Sequence, residues 1–284
     1  MKFSLIVTTQ GRPKEFNRLM KSLAEQSYKV LQLVVVDQSD NDRIEELAAL
    51  YSSRFEVSYL RAQKCSLSHA RNIGLRLASG IVIAFPDDDC WYARDTLLEV
   101  KGRFENGMEG CPALDGVSVR TLDWNGGPSC VRWFNKRCFV NYLNVWNTTI
   151  SVGIFLSANL IRKTGPFDES IGVGSGGKIR SGEETDFVLR SLNVGAKILY
   201  DPKIFVHHED NFSGASVSPK KGFVYGYGMG YVMRKNDYPF RFLGRFLVRS
   251  LGGSVLNLFK FRIRKSAIYI SIATGRLMGF CQGK

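Results

Sequence analysis

Strand and helix signals alternate regularly over the first hundred residues, which leaves few folds open to the chain. Residues 3–8 form a short apolar, β-branched run. Gly11, Arg12 and Pro13 break it, and Pro13 suits the first turn of a helix. Phe16, Leu19, Met20 and Leu23 then recur at helical spacing. Residues 31–36 are almost continuously apolar, as expected of a parallel strand covered on both faces. The same signals predict a helix over 42–51, a strand over 55–60, a helix over 66–78 and a fourth strand over 81–85. Strands alternating with helices of this length mean βαβ units. The expected class is therefore α/β, with a Rossmann-like, mostly parallel central sheet flanked by helices.

Ligands of such sheets bind beyond the carboxyl ends of the strands. Polar residues gather there: Thr8, Thr9 and Gln10 after the first strand, Asp37 to Asp40 after the second, and Asp87, Asp88 and Asp89 after the fourth. Further along, the pattern predicts a helix over 94–106, a loop-rich stretch over 107–127, and a strand over 148–157 running into a helix over 158–164. A glycine-rich polar loop follows over 165–182, then a helix over 183–193 and a strand over 197–206. A loop of that length inside a compact domain is usually functional or mobile.

Three adjacent carboxylates repel one another, and a hard divalent cation such as Mg2+ or Mn2+ removes the repulsion while bridging to phosphate. The alternative for Asp87, Asp88 and Asp89 is a solvated acidic turn before the next helix. Glu183, Glu184 and Asp186 open a helix beside the glycine loop. The helix dipole favours acids there in any case, while the functional reading is a general base held on a rigid element. The chain has three histidines, and His207 and His208 are adjacent at a strand end. A histidine there, in a chain that carries a carboxylate cluster, is a candidate third metal ligand. Arg71, on the third helix, is a candidate phosphate contact or a solvated side chain.

The order of these motifs resembles glycosyltransferase family 2. The resemblance rests on Thr8 and Thr9, Asp37, the run from Ala70 to Gly74, Asp87 to Asp89, the run from Gly165 to Glu169, Gly182 to Asp186, and Tyr200 to His208. It covers residues 3–212 and implies the GT-A fold and an inverting, metal-dependent transfer from a nucleotide-sugar donor, with UDP- or dTDP-sugars expected. The resemblance implies that Thr8 and Thr9 line the nucleotide, that Asp37 bonds the base, and that Arg71 approaches the diphosphate. Asp87 and Asp88 fall on the donor side of the family's DxD motif, and Asp89 and His208 on the metal. Glu184 takes the place of the catalytic base, with Glu183 and Asp186 as alternatives, and His207 is the alternative to His208. The usual residue at the place of Glu184 is Asp, so the carboxylate stands one methylene further out.

Charge divides the 284 residues unevenly. Residues 220–284 hold thirteen of the 39 Lys and Arg but one of the 26 acids, while the rest of the chain is almost neutral. The net charge of +13 therefore belongs to a tail in which Phe, Leu and Ile interleave with Arg and Lys. We expect a catalytic domain over 1–219 and a basic amphipathic helical region over 220–284. Such a stretch reads as packing helices with solvated edges, as an anionic membrane-surface element, or as a nucleic-acid patch. With the family resemblance the membrane reading is preferred and no nucleic acid is expected. The acceptor would be a glycan or lipid-linked glycan in cell-surface polysaccharide synthesis, at the cytoplasmic face of the inner membrane. A nucleotidyltransferase is the alternative enzyme class, with Thr9 to Arg12 only a faint phosphate loop.

The remaining signals agree with that placement. Six scattered cysteines with no zinc spacing read as reduced thiols. No signal-peptide cleavage site and no transmembrane run is expected. The sequons at Asn147 and Asn211 are taken as chance. An overall hydrophobic content of 44% excludes a disordered or collagen-like chain.

Overall fold

The computed structural model describes residues 1–108, 110–209 and 218–283. The sequon at Asn211 and the last acid of the 206–210 run lie outside the described residues. Two compact units divide the chain: Met1–Cys65, His69–Phe167 and Phe187–Asp210 form one, and Ser66–Ser68, Asp168–Asp186 and Asn211–Lys284 the other.

The first unit is built on a nine-stranded sheet. Strands β1 (Phe3–Thr9), β2 (Leu31–Asp37) and β3 (Glu56–Arg61) pair in parallel, and β4 (Val82–Ala84) is parallel to β1. Their connections are α1 (Pro13–Ala24), α2 (Arg43–Leu50) and α3 (Leu67–Leu77). Alternation sorts the buried strands: Phe3, Leu5, Val7, Leu33 and Val35 join one core with Phe16, Leu19 and Ile44. On the other face, a Cβ at Gly74 would collide with the Ile6 side chain. That close approach of α3 to β1 explains the glycine in the 70–74 run.

The sheet continues through β8 (Ile154–Ser157), β6 (Gly116–Leu122), β9 (Ile198–His207) and β5 (Trp91–Tyr92), while β7 (Cys138–Phe139) also pairs with β9. Helix α4 (Thr96–Asn106) follows β5, and α5 (Ala158–Thr164) follows β8. The expected loop over 107–127 thus contains a seven-residue strand, buried between β8 and β9. Buried Asp201 on β9 pairs with Arg103 at 2.7 Å and Arg137 at 2.8 Å, which accounts for that acid inside a strand.

The second unit carries the first turn of α6 (Glu183–Asn193) and three helices, α7 (Pro219–Lys235), α8 (Phe240–Phe259) and α9 (Ile263–Gln282). Helices α7 and α9 meet through glycines. A Cβ at Gly226, Gly230, Gly275 or Gly279 would collide with backbone atoms of the facing helix. Among the described residues, no helix is long and apolar enough to cross a membrane.

Candidate active site

Each strand of the parallel half delivers a polar residue at its carboxyl end. Thr8 bridges to Asp87 as β1 and the segment after β4 leave the sheet together. The Thr9 hydroxyl donates to Asp88 Oδ2 at 2.6 Å. Asp37, wholly buried at the end of β2, accepts from the backbone N–H of Ser39 at 2.8 Å, the Ser39 hydroxyl at 2.9 Å and the Tyr59 hydroxyl at 2.8 Å. Burial and that carboxylate push the Tyr59 phenol up to about 12.

The acidic triplet divides by side chain. Asp88 is buried and engages Thr9 and Arg12; burial lifts it to about 6 although Arg12 opposes the rise. Asp87 and Asp89 turn instead toward His208, and one ligand atom from each of the three lies within 4.8 Å of the others. His208 Nε2 stands 3.2 Å from Asp89 Oδ1 and 3.9 Å from Asp87 Oδ2.

Strand pairing creates this meeting. β5 starts two residues after Asp89 and runs antiparallel to β9, with Trp91 opposite His207. The residue before β5 and the residue after β9 are therefore neighbours, although more than a hundred positions separate them. The His208 backbone N–H donates to Leu122 O at 2.9 Å, fixing the turn against β6. His207 stacks on the Trp91 ring with centroids 5.0 Å apart and does not join the carboxylates.

The three residues suit a hard or borderline divalent cation. Asp89 Oδ1 is buried and makes no hydrogen bond. His208 Nδ1 lies 2.8 Å from the Glu209 carbonyl, which can only accept. Nδ1 therefore carries a proton, and Nε2 is the ring atom turned to the carboxylates; without a cation it is protonated too, and its lone pair becomes a metal ligand when a cation takes the place of that proton. Burial disfavours the charged imidazole, but Asp89 and the Cys130 thiol at 3.3 Å outweigh it and raise His208 to about 11 in the absence of a cation. Burial likewise pushes Asp89 up, and His208 and Arg12 more than offset it, holding the acid below its ordinary value. Cys90, between the triplet and β5, is raised by burial and by the nearby carboxylates, so it stays a neutral thiol.

Arg71 is 2% exposed and contacts Asp87 Oδ1 at 3.1 Å, its guanidinium also lying near the rings of Phe85 and Phe167. Sequence reasoning missed Arg12 and Arg18. Arg12 holds Asp88 and reaches Asp89 Oδ2 at 2.8 Å; Arg18 donates to the Asp89 carbonyl at 2.5 Å and lies over Trp91 and Trp124. Arg12 sits three residues beyond β1, so the carboxyl-end rule would have found it. Nothing in the sequence marks Arg18 or Cys130.

The acids of α6 belong to the second unit. Asp186 is wholly buried and pairs with Lys235 at 2.9 Å. Glu183 is buried beside Gly172, whose Cβ would stand 3.1 Å from its carboxylate. Glu184 is half-buried.

The sequence model described as Glycosyl transferase family 2 matches residues 4–163. Poly(ribitol-phosphate) beta-N-acetylglucosaminyltransferase TarS of Staphylococcus aureus (strain Mu50) is 32% identical over 103 residues, 35% of this chain and 18% of that enzyme's length. The succinoglycan biosynthesis protein ExoM of Rhizobium meliloti is 27% identical over 248 residues, 83% of this chain and 76% of that protein. Among solved structures, TarS 1–349 in complex with UDP-GlcNAc superposes with a TM-score of 0.64 at 17% identity, covering 97% of this chain and 93% of that one. The mannosyltransferase PcManGT of Pyrobaculum calidifontis in complex with GDP-Man and Mn2+ gives 0.62 at 14% identity, over 97% and 87%. At these identities the likeness concerns the fold, which is GT-A.

Proposed function

Because the chain belongs to glycosyl transferase family 2, we propose that it transfers a sugar from a nucleotide-sugar donor to a hydroxyl of a glycan or lipid-linked acceptor, with inversion. One observation carries the metal-dependent form of this reading: Asp87, Asp89 and His208 converge beyond the carboxyl end of β4, with a buried carboxylate oxygen left without a hydrogen bond. These three residues would hold Mg2+ or Mn2+, which would supply positive charge to the leaving diphosphate.

The chain's own groups take the other roles. Thr8, Thr9 and Asp37 line the nucleotide, and Asp88 with Arg12 braces the turn that carries them. Arg71, fixed against Asp87, presents its charge toward the phosphates. Glu184 takes the proton from the acceptor hydroxyl, whose oxygen attacks the anomeric carbon opposite the leaving group. Glu184 is preferred over its neighbours because it takes the family's base position and is half-buried, whereas Glu183 and Asp186 are buried. Residues 1–219 act as the catalytic domain in this reading. The basic region over 220–284 places the enzyme peripherally on the anionic cytoplasmic face of the inner membrane, in polysaccharide assembly. TarS, named for sugar transfer to poly(ribitol-phosphate), and ExoM, named for succinoglycan biosynthesis, support that setting.

The test is product identity. Incubation with Mn2+, a panel of nucleotide sugars and a lipid-linked acceptor should release nucleoside diphosphate. Release of pyrophosphate from a nucleoside triphosphate and a sugar phosphate would assign a nucleotidyltransferase instead.

A further inference from the structure

Helices α8 and α9 are built inside out. On α8, Ser250 and Ser254 are buried, and the Ser254 hydroxyl meets that of Ser266 on α9 at 2.6 Å. A Cβ at Gly253 would press on the Tyr269 ring at 2.9 Å. The buried positions of α9 include Ser266, Ala273, Gly275 and Gly279. Phe242, Leu243 and Phe280 are buried at the end of the pair away from its turn, and most other large apolar residues point the other way. Val248, Leu251, Val255 and Leu258 follow one another at steps of three and four, and Phe259 stands four residues after Val255, so the five share one face of α8, and all are exposed. On α9, Ile263, Ile270 and Leu277 form a second exposed stripe. At the turn between the helices, Phe259 is 80% exposed and Phe261 91%.

A helix that packs on protein in water buries its large apolar side chains and exposes its small and polar ones. Small residues toward the neighbouring helix and large apolar ones outward is the arrangement of helices that meet in lipid. The charge is one-sided as well. Residues 240–284 contain no acid, while Lys260, Arg262, Arg264 and Lys265 surround the two exposed phenylalanines and Arg245 and Arg249 run beside the apolar face of α8. No described helix can cross a bilayer, so this surface suits the interface of one leaflet.

We propose that the α8–α9 hairpin is the element that enters an anionic membrane, with Phe259 and Phe261 inserted between headgroups and the surrounding Lys and Arg paired with lipid phosphates. This refines the membrane partner proposed above and rests on that reading. It assigns the contact to one turn and its two flanking faces rather than to the basic charge of the tail as a whole.

The test is flotation of the full chain with vesicles of phosphatidylcholine alone and with vesicles containing about one third phosphatidylglycerol. The full chain should float with the anionic vesicles. Phe259→Glu with Phe261→Glu, both on exposed side chains, should weaken that binding at least about tenfold while the circular dichroism melting curve stays in place. Lys260→Glu with Lys265→Glu should do the same and abolish the preference for anionic lipid. Equal binding by wild type and the phenylalanine variant, or no binding by the wild type, would overturn the proposal. So would a dimer in sedimentation that the same substitutions convert to monomer, because a second copy would then be the occupant. Nucleotide-sugar binding with Mn2+, measured on the same samples, reports the enzymatic reading separately: vesicle binding without donor binding removes that reading and leaves the hairpin assignment.

Discussion

Asp89 presents a buried Oδ1 that makes no hydrogen bond, 3.2 Å from the Nε2 atom of His208. The Nδ1 proton of that histidine is directed to the Glu209 carbonyl, so Nε2 is the ring atom left for a cation, which would take the place of the proton that the neighbouring carboxylates otherwise hold there. His208→Ala should therefore weaken Mn2+ binding at least about tenfold, while His207→Ala, which removes a ring stacked on Trp91 and near the Asp123 carbonyl, should leave it within about twofold. Titration of Mn2+ followed by electron paramagnetic resonance separates the two.

Glu184→Gln should lower turnover by about a thousandfold, the scale of a lost general base, with nucleotide-sugar affinity retained. If Glu183→Gln or Asp186→Asn proves the inactive but well-folded variant, the base must be reassigned.

Much of this arrangement can be read from residue types, and the exceptions have a common cause. Strands β1 to β4 and their helices follow from local pattern: β1 and β2 are seven-residue, largely apolar runs, α1 carries Phe16, Leu19, Met20 and Leu23 on one face, and Gly80 and Pro86 bracket β4. The acids and histidines are visible because their chemistry is rare in a β-strand end. Their meeting is not, since it depends on the two-residue strand β5 finding β9 more than a hundred positions later. β6 fails for the same reason: its seven residues include Ser118, Arg120 and Thr121, and pairing with β8 and β9 rather than local pattern makes it a strand. In α7, four glycines lower helix propensity, and close packing on the glycines of α9 overrides them.

The Lys235 ammonium lies 2.6 Å from Asp168 and 2.9 Å from Asp186. Burial alone would raise Asp168, but Lys235 and Ser170 hold it near about 2, below the ordinary 3.8. A depressed carboxyl stabilises the fold fully above its unfolded pKa and loses that contribution as pH falls through the folded value. Wild type should thus be more stable than Asp168→Asn above about pH 4, with the gap closing toward about pH 2, as read from urea midpoints across pH.

Two glycine substitutions separate close packing from helix propensity. A Cβ at Gly230 collides with the Arg276 carbonyl oxygen, so Gly230→Ala should destabilise the protein by about 3 kcal/mol. Gly244 on α8 has nothing within 4 Å of a built Cβ, so Gly244→Ala should stabilise by about 0.5–1 kcal/mol through propensity alone. Urea denaturation of both variants gives the comparison.

A cation held by Asp87, Asp89 and His208 should couple this fold to a nucleotide-sugar donor. The most direct measurement is the thermal shift of wild type and Asp89→Ala against a nucleotide-sugar panel, with Mn2+ and with a chelator. A ligand that binds only the folded state raises the melting temperature. At least one nucleotide sugar should raise it with Mn2+, and the shift should be lost with chelator and in Asp89→Ala. A shift of the same size in all three conditions, or none from any nucleotide sugar, would contradict that coupling.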